Sequence, residues 1–213
     1  MTDHHATGDA HTHPTRPDEG TSWTYFQRLE VAVRELLIEK RILTADEIRR
    51  QVEDMDSRTP ARGAKVVARA WSNPHFRSRL LSDASAALEE MGMDCGPYKL
   101  IVVENTPEVH NVIVCTLCSC YPRWLLGLPP DWYKSRSYRS RVVREPRAVL
   151  REFGLALPES TTVRVHDSTA DMRYMVLPMQ PSGARDWTEE ELAGLVSRDT
   201  MVGVAVPTLR SST

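Results

Sequence analysis

The chain has 213 residues, 41% of them hydrophobic and 26% charged, with a formal net charge of −2. That length allows one substantial core, or one core with an appended arm, and the composition is ordinary for a globular fold. The near-neutral balance points to neither nucleic acid nor a solvating acidic tail. No apolar run approaches the roughly 20 residues that span a bilayer.

The first 20 residues scatter His4, His5, His11 and His13 among Thr, Asp, Gly and Pro without apolar periodicity. They read as a disordered tail. They lack the basic start and apolar stretch of a secretory signal, so the expected location is the cytoplasm, with no membrane partner.

From Trp23 the pattern turns helical, with Leu29, Val33, Leu36 and Leu37 at helical spacing. Thr44 followed by Glu47 is a capping box that starts a second helix. A break follows at Asp56 to Pro60. Ala61 to Trp71 and Pro74 to Met91 read as two further helices, and Gly92 to Pro97 as a linker.

The period then changes. Leu100 to Val103, Val112 to Val114, Val163 to Val165, Tyr174 to Leu177 and Val202 to Val206 are strand candidates, rich in β-branched residues. Glu145 to Phe153 and Thr188 to Val196 look helical, the latter opened by a Thr188/Glu191 capping box. The expected fold is α+β. A helical arm over 21–92 follows the tail over 1–20, and a mixed α/β domain covers 93–213.

Three of the four cysteines crowd into Cys115-Thr116-Leu117-Cys118-Ser119-Cys120, directly after the Val112 to Val114 run. In a reducing compartment such a cluster points to a metal or redox site. Spacing alone leaves two readings open besides a catalytic metal. One is structural zinc with His110 as fourth donor; the other is a C-x-x-C redox pair. Cys95 stands apart and reads as a small half-buried thiol.

The flanks are more specific. Val103-Glu104-Asn105-Thr106-Pro107 and His110-Asn111 lead into the cysteine segment. Tyr121-Pro122, the run Leu126 to Lys134 and Arg144-Glu145-Pro146-Arg147 follow it. This pattern resembles the nitrile hydratase α subunit, from about Val103 to Val206, with the helical region matching more loosely.

The resemblance implies that 93–213 is a layered α-β-β-α metal-binding domain, the catalytic one, with one non-corrin cobalt(III) per chain. Its ligands would be the Cys115 thiolate trans to the substrate position, Cys118 as sulfinate, Cys120 as sulfenate, and the backbone nitrogens of Ser119 and Cys120. Thr116 is the residue found in members resembling the cobalt type. Soft sulfur and anionic nitrogen donors suit a low-spin trivalent ion, and five protein ligands leave one position open. Cys120 and Ser119 are then the candidate catalytic residues, and the implied reaction is hydration of a nitrile to its primary amide.

The implied partners are a β subunit, or split β-like chains, whose arginines surround the oxidised sulfurs, and a cobalt-loading chaperone. Arg123 stands where nitrile hydratases usually carry Trp. The related thiocyanate hydrolase γ subunit shares this Cys-Tyr-Pro-Arg sequence, so a small anion is the runner-up substrate. Arg123 and Trp124 are the substrate-pocket candidates. No Gln stands in Asp94-Cys95-Gly96-Pro97-Tyr98, where many members carry one. A zinc-stabilised interaction module is the non-enzymatic alternative.

Overall fold

The computed structural model describes residues 23–209, and the tail expected over 1–20 lies outside them. The chain divides into two compact units, up to Gln51 and from Val52 onward.

The first unit is built on α1 (Tyr25–Glu39) and most of α2 (Ala45–Ser57). Thr24 caps α1 in a capping box with Gln27. The expected box at α2 is present: the Thr44 N–H donates to Glu47 (2.8 Å) and the Glu47 N–H to the Thr44 hydroxyl (3.2 Å). No residue of α1 is buried, and Phe26, Leu29, Val33 and Leu37 line an apolar groove with Leu43 and Ile48.

In the second unit α3 (Ala61–Ser72), α4 (Pro74–Ser82) and α5 (Ala84–Glu89) belong to the main core. Val66, Val67, Phe76, Leu80, Ala87 and Leu88 pack in the same cluster as the strands. Where the arm was expected to run to residue 92, the structure divides at 51/52, and these three helices share one core with the strands. The long helix expected over 74–91 is two helices. Asp83 stops α4, and its carboxylate accepts the Ala86 N–H to start α5.

Four strands follow: β1 (Lys99–Glu104), β2 (Val109–Val114), β3 (Thr162–Asp167) and β4 (Met172–Leu177). They form two parallel pairs, β1 with β4 and β2 with β3. Parallel neighbours require crossovers. Between β2 and β3 the crossover holds α6 (Arg123–Leu126), α7 (Asp131–Lys134), α8 (Arg136–Arg144) and α9 (Pro146–Glu152). Helices α6 to α8 are short and carry no long apolar period that would mark them in the sequence.

The chain ends with α10 (Glu189–Ala193) and α11 (Arg198–Val202). The strand expected over Val202 to Val206 is not formed. Ser197 and Thr200 make a capping box that starts a helix, and Gly203, at φ 91°, ends it. Three N–H groups, of Gly203, Val204 and Ala205, then turn back to the Asp199 carbonyl.

Candidate metal centre

Strand β2 delivers the cysteine loop. In the parallel register Val114 lies opposite Asp167, and the Ser168 N–H donates to the Val114 carbonyl (2.7 Å), closing the ladder just before the loop. Cys115, Cys118 and Cys120 then place their three sulfurs within 4.8 Å of one another. The Cys118 sulfur is 3.4 Å from that of Cys115 and 3.1 Å from that of Cys120. Cys115 is buried, Cys120 half-buried and Cys118 exposed. The cluster has a closed side in the core and an open side towards solvent, where Leu117 is 87% exposed.

The loop backbone is held from outside by three side chains. Asp167 accepts both the Thr116 N–H (2.9 Å) and the Thr116 hydroxyl (2.5 Å). Arg139 on α8 donates to the Cys118 carbonyl (2.9 Å), and Tyr133 on α7 donates to the Cys120 carbonyl (2.9 Å). Inside the loop, the Cys118 N–H donates to the Cys115 sulfur (3.3 Å).

Hydrogen bonds from Cys120 and Cys115 lower the Cys118 thiol to about 7, and the Ser119 and Cys120 backbone N–H groups add to that pull. Burial, followed by the Cys118 contact, pushes Cys120 up to about 12, while the Arg173 charge acts the other way. So Cys118 ionises first. Two backbone nitrogens and three sulfurs converge, a donor set fit for a soft-ligand metal site with an open side.

A family model described as nitrile hydratase, alpha chain, matches residues 24–205. The chain belongs to the nitrile hydratase alpha-chain family. The cobalt-containing nitrile hydratase subunit alpha of Pseudonocardia thermophila is 51% identical over 176 residues, 81% of this chain and 86% of that one. The thiocyanate hydrolase subunit gamma of Thiobacillus thioparus is 42% identical, over 85% of this chain and 80% of that one. A solved recombinant thiocyanate hydrolase with partially modified cobalt centres superposes with a TM-score of 0.83 at 41% identity, covering 88% of this chain and 92% of that one. The mixed helix and strand architecture agrees with that of these relatives.

For a member of this family, the structure separates the sequence candidates. Arg123 is exposed at the start of α6, and its side chain has no hydrogen-bond or ion-pair partner among the described residues. Trp124, expected to line the entrance beside it, is turned into the core, where it stacks on Tyr98 (5.5 Å, 6° between planes). Cys95 is buried outside the sulfur cluster, and burial raises its thiol.

His110 cannot serve as a fourth zinc donor. It is buried, its Nε2 donates to the Gly203 carbonyl (2.7 Å), and its Nδ1 lies 3.2 Å from the Asn105 amide. His166 and Asp167, neighbours in sequence, face different partners: His166 bonds Asn111 (2.8 Å) and Asp167 holds Thr116.

Much of the arginine- and tyrosine-rich stretch over 133–147 is engaged within the chain. Tyr133 and Tyr138 are buried, Arg141 pairs with Glu145 and Glu152, and Arg147 caps carbonyls between Leu157 and Thr161. Sequence reasoning missed Asp167, Arg139 and Arg173 as neighbours of the loop. Arg173 lies 4.5 Å over the Tyr98 ring and donates to the Ala170 carbonyl (2.9 Å). The one available sign was an acidic residue at the end of a strand; the two arginines carried none.

Proposed function

We propose that this chain is the metal-bearing subunit of a nitrile hydratase that converts a nitrile to its primary amide at a cobalt centre. The observation that carries the reading is the convergence of three sulfurs and two backbone nitrogens in one loop, within a chain 51% identical to a cobalt-containing relative. Cys115, Cys118, Cys120 and the nitrogens of Ser119 and Cys120 are the ligands. The ion is trivalent, one per chain, with Cys118 as sulfinate and Cys120 as sulfenate. Bound there, cobalt supplies Lewis acidity towards a nitrile nitrogen. Cys115 anchors the site from its buried side. Cys120, on the half-buried side, offers the oxygen that attacks the nitrile carbon, directly or through a water it activates.

Partner chains follow from the same reading. Cys118 and Leu117 are exposed, and oxidised sulfur carries negative charge that needs donors around it. A β subunit, or β-like chains, covers this side, and a cobalt-loading chaperone fills the site. Among the described residues no helix is long and apolar enough to cross a membrane. The proposed location is the cytoplasm.

The test is metal content together with cysteine mass, on protein produced in cobalt medium with the neighbouring subunit genes. One cobalt per chain, two added oxygens on Cys118, one on Cys120, and amide formed from a nitrile is the expected result. Zinc with three plain thiols under those conditions would overturn the reading in favour of a zinc-stabilised module.

One observation favours a second reading. The Arg123 side chain is an exposed cation without a partner among the described residues, three residues past Cys120, and a thiocyanate hydrolase subunit is 42% identical to the chain. An unpaired guanidinium at the mouth would draw a small anion such as thiocyanate. Side-by-side turnover of acrylonitrile, a heteroaromatic nitrile and thiocyanate, in wild type and Arg123→Trp, separates the two. Thiocyanate turnover that the substitution abolishes would assign the anion reading.

A further inference from the structure

We infer that Arg139 is the positioning residue of the metal loop, fixing the plane of the Cys118–Ser119 peptide so that the Ser119 nitrogen faces the sulfurs. This inference rests on the metal reading above and extends it to a residue outside the ligand set.

The argument starts from the peptide unit. It is planar and trans, so its C=O and N–H point in opposite directions. Whatever holds the Cys118 oxygen outward turns the Ser119 N–H inward. The Arg139 Nη1 holds that oxygen at 2.9 Å from outside the loop. On the inner side the Ser119 N–H bears on the Cys118 sulfur. Released from Arg139, this peptide could rotate about its two flanking bonds and carry the nitrogen away from the cluster.

The grip is rigid because α8 is rigid relative to β2. Tyr138, the residue before Arg139, is buried and donates to the Ile113 carbonyl (2.7 Å), two residues before Cys115. Val142, one turn later, is fully buried. Arg139 is thereby referenced to the strand that delivers the cysteines.

The charge of Arg139 supports the same role. Arg141 and Arg147 spend their N–H groups on carboxylates or several carbonyls, whereas Arg139 has one acceptor, the Cys118 oxygen. It has no carboxylate partner among the described residues, and its Nε is buried without an acceptor. Such an arrangement costs stability by itself. It becomes favourable beside a donor set that is net negative, as three metal-bound sulfurs and two amide nitrogens are.

The experiment uses the full chain with its neighbouring subunit genes in cobalt medium, as wild type, Arg139→Ala, Arg139→Gln and the exposed control Arg144→Ala. Four quantities are read: cobalt per chain after dialysis against a chelator, the sulfur-to-cobalt absorption band, added oxygens on Cys118 and Cys120, and thermal midpoint. Arg139→Ala is expected to weaken cobalt retention by about 10- to 100-fold and to shift the band of the cobalt that remains. Arg144→Ala is expected to match wild type.

A folded Arg139→Ala with wild-type retention and an unmoved band would overturn the inference while leaving the metal reading intact. If Arg139→Ala does not fold, Arg139→Gln decides on the same two readouts, loss supporting the role and wild-type values overturning it. A wild type holding only zinc and plain thiols would overturn the metal reading and this inference together.

Discussion

Asp167 grips Thr116 at two points, its two carboxylate oxygens accepting the backbone N–H and the side-chain hydroxyl of the same residue. The last residue of β3 is thereby tied to the first residue after the buried cysteine. Asp167→Ala leaves the ladder above it paired but frees the loop. We expect cobalt retention to fall by about 10- to 100-fold, with little change in far-ultraviolet circular dichroism. Elemental analysis after dialysis against a chelator checks this; undiminished cobalt would show that the loop needs no such anchor.

Thiol reactivity in the metal-free, reduced protein should follow ionisation and exposure together. Cys118 is exposed and lowered to about 7, whereas Cys120 is raised to about 12 and Cys95 is buried with its thiol raised. At pH 7 a brief treatment with iodoacetamide should label Cys118 first. Peptide mass spectrometry reads the site, and equal labelling of Cys95 would contradict the ordering.

The two structural histidines predict an acid-sensitive fold. Burial lowers His110 from 6.5 and also lowers His166. The unfolded imidazoles take up protons near 6.5, the folded ones only at lower pH. Over that interval the unfolded chain holds more protons, so the stability they contribute is complete above about 6.5 and is lost as pH falls through the folded values. Thermal midpoints measured from pH 7.5 down to 5 should decline, and His110→Gln should decline less steeply whatever its starting midpoint. Identical slopes would remove His110 as a cause.

Gly203 is a stricter position. Its φ is 91°, and a Cβ there would fall on the Asn111 carbonyl, beside the residue whose imidazole donates to the Gly203 oxygen. Gly203→Ala combines left-handed backbone strain of about 1–3 kcal/mol with a backbone clash. Chemical denaturation should show a loss at the upper end of that range or beyond, or no folded protein. A loss under about 1 kcal/mol would mean that the chain end can shift away from β2 freely.

The cysteine spacing, the strand that delivers it and the two capping boxes were legible because each is a local pattern. Thr44 with Glu47 and Thr188 with Glu191 need no distant partner to form. What escaped reading was set by distance in sequence. Asp167 meets Thr116 across 51 residues and Arg139 meets Cys118 across 21, and neither residue announces its partner. The burial of Trp124 escaped for a related reason: an aromatic next to a cationic surface residue says nothing of the Tyr98 ring on which it stacks. The run Val202 to Val206 looked extended because β-branched residues favour strands, but the Ser197 cap and Gly203 decide locally for a helix and its stop.

The pairing of β2 with β3 also sets which kinds of genetic change the site tolerates. With Val114 opposite Asp167, deleting or inserting one residue within Thr162–Asp167 would bring His166 or Ser168 to the position of the carboxylate. It would also turn alternate side chains to the opposite face. Point substitutions at the exposed positions Thr162 and Arg164 of β3 should therefore be absorbed, whereas length changes, like loss of the Asp167 carboxylate, should not. Natural variation in this segment is expected to alter its letters while conserving their number.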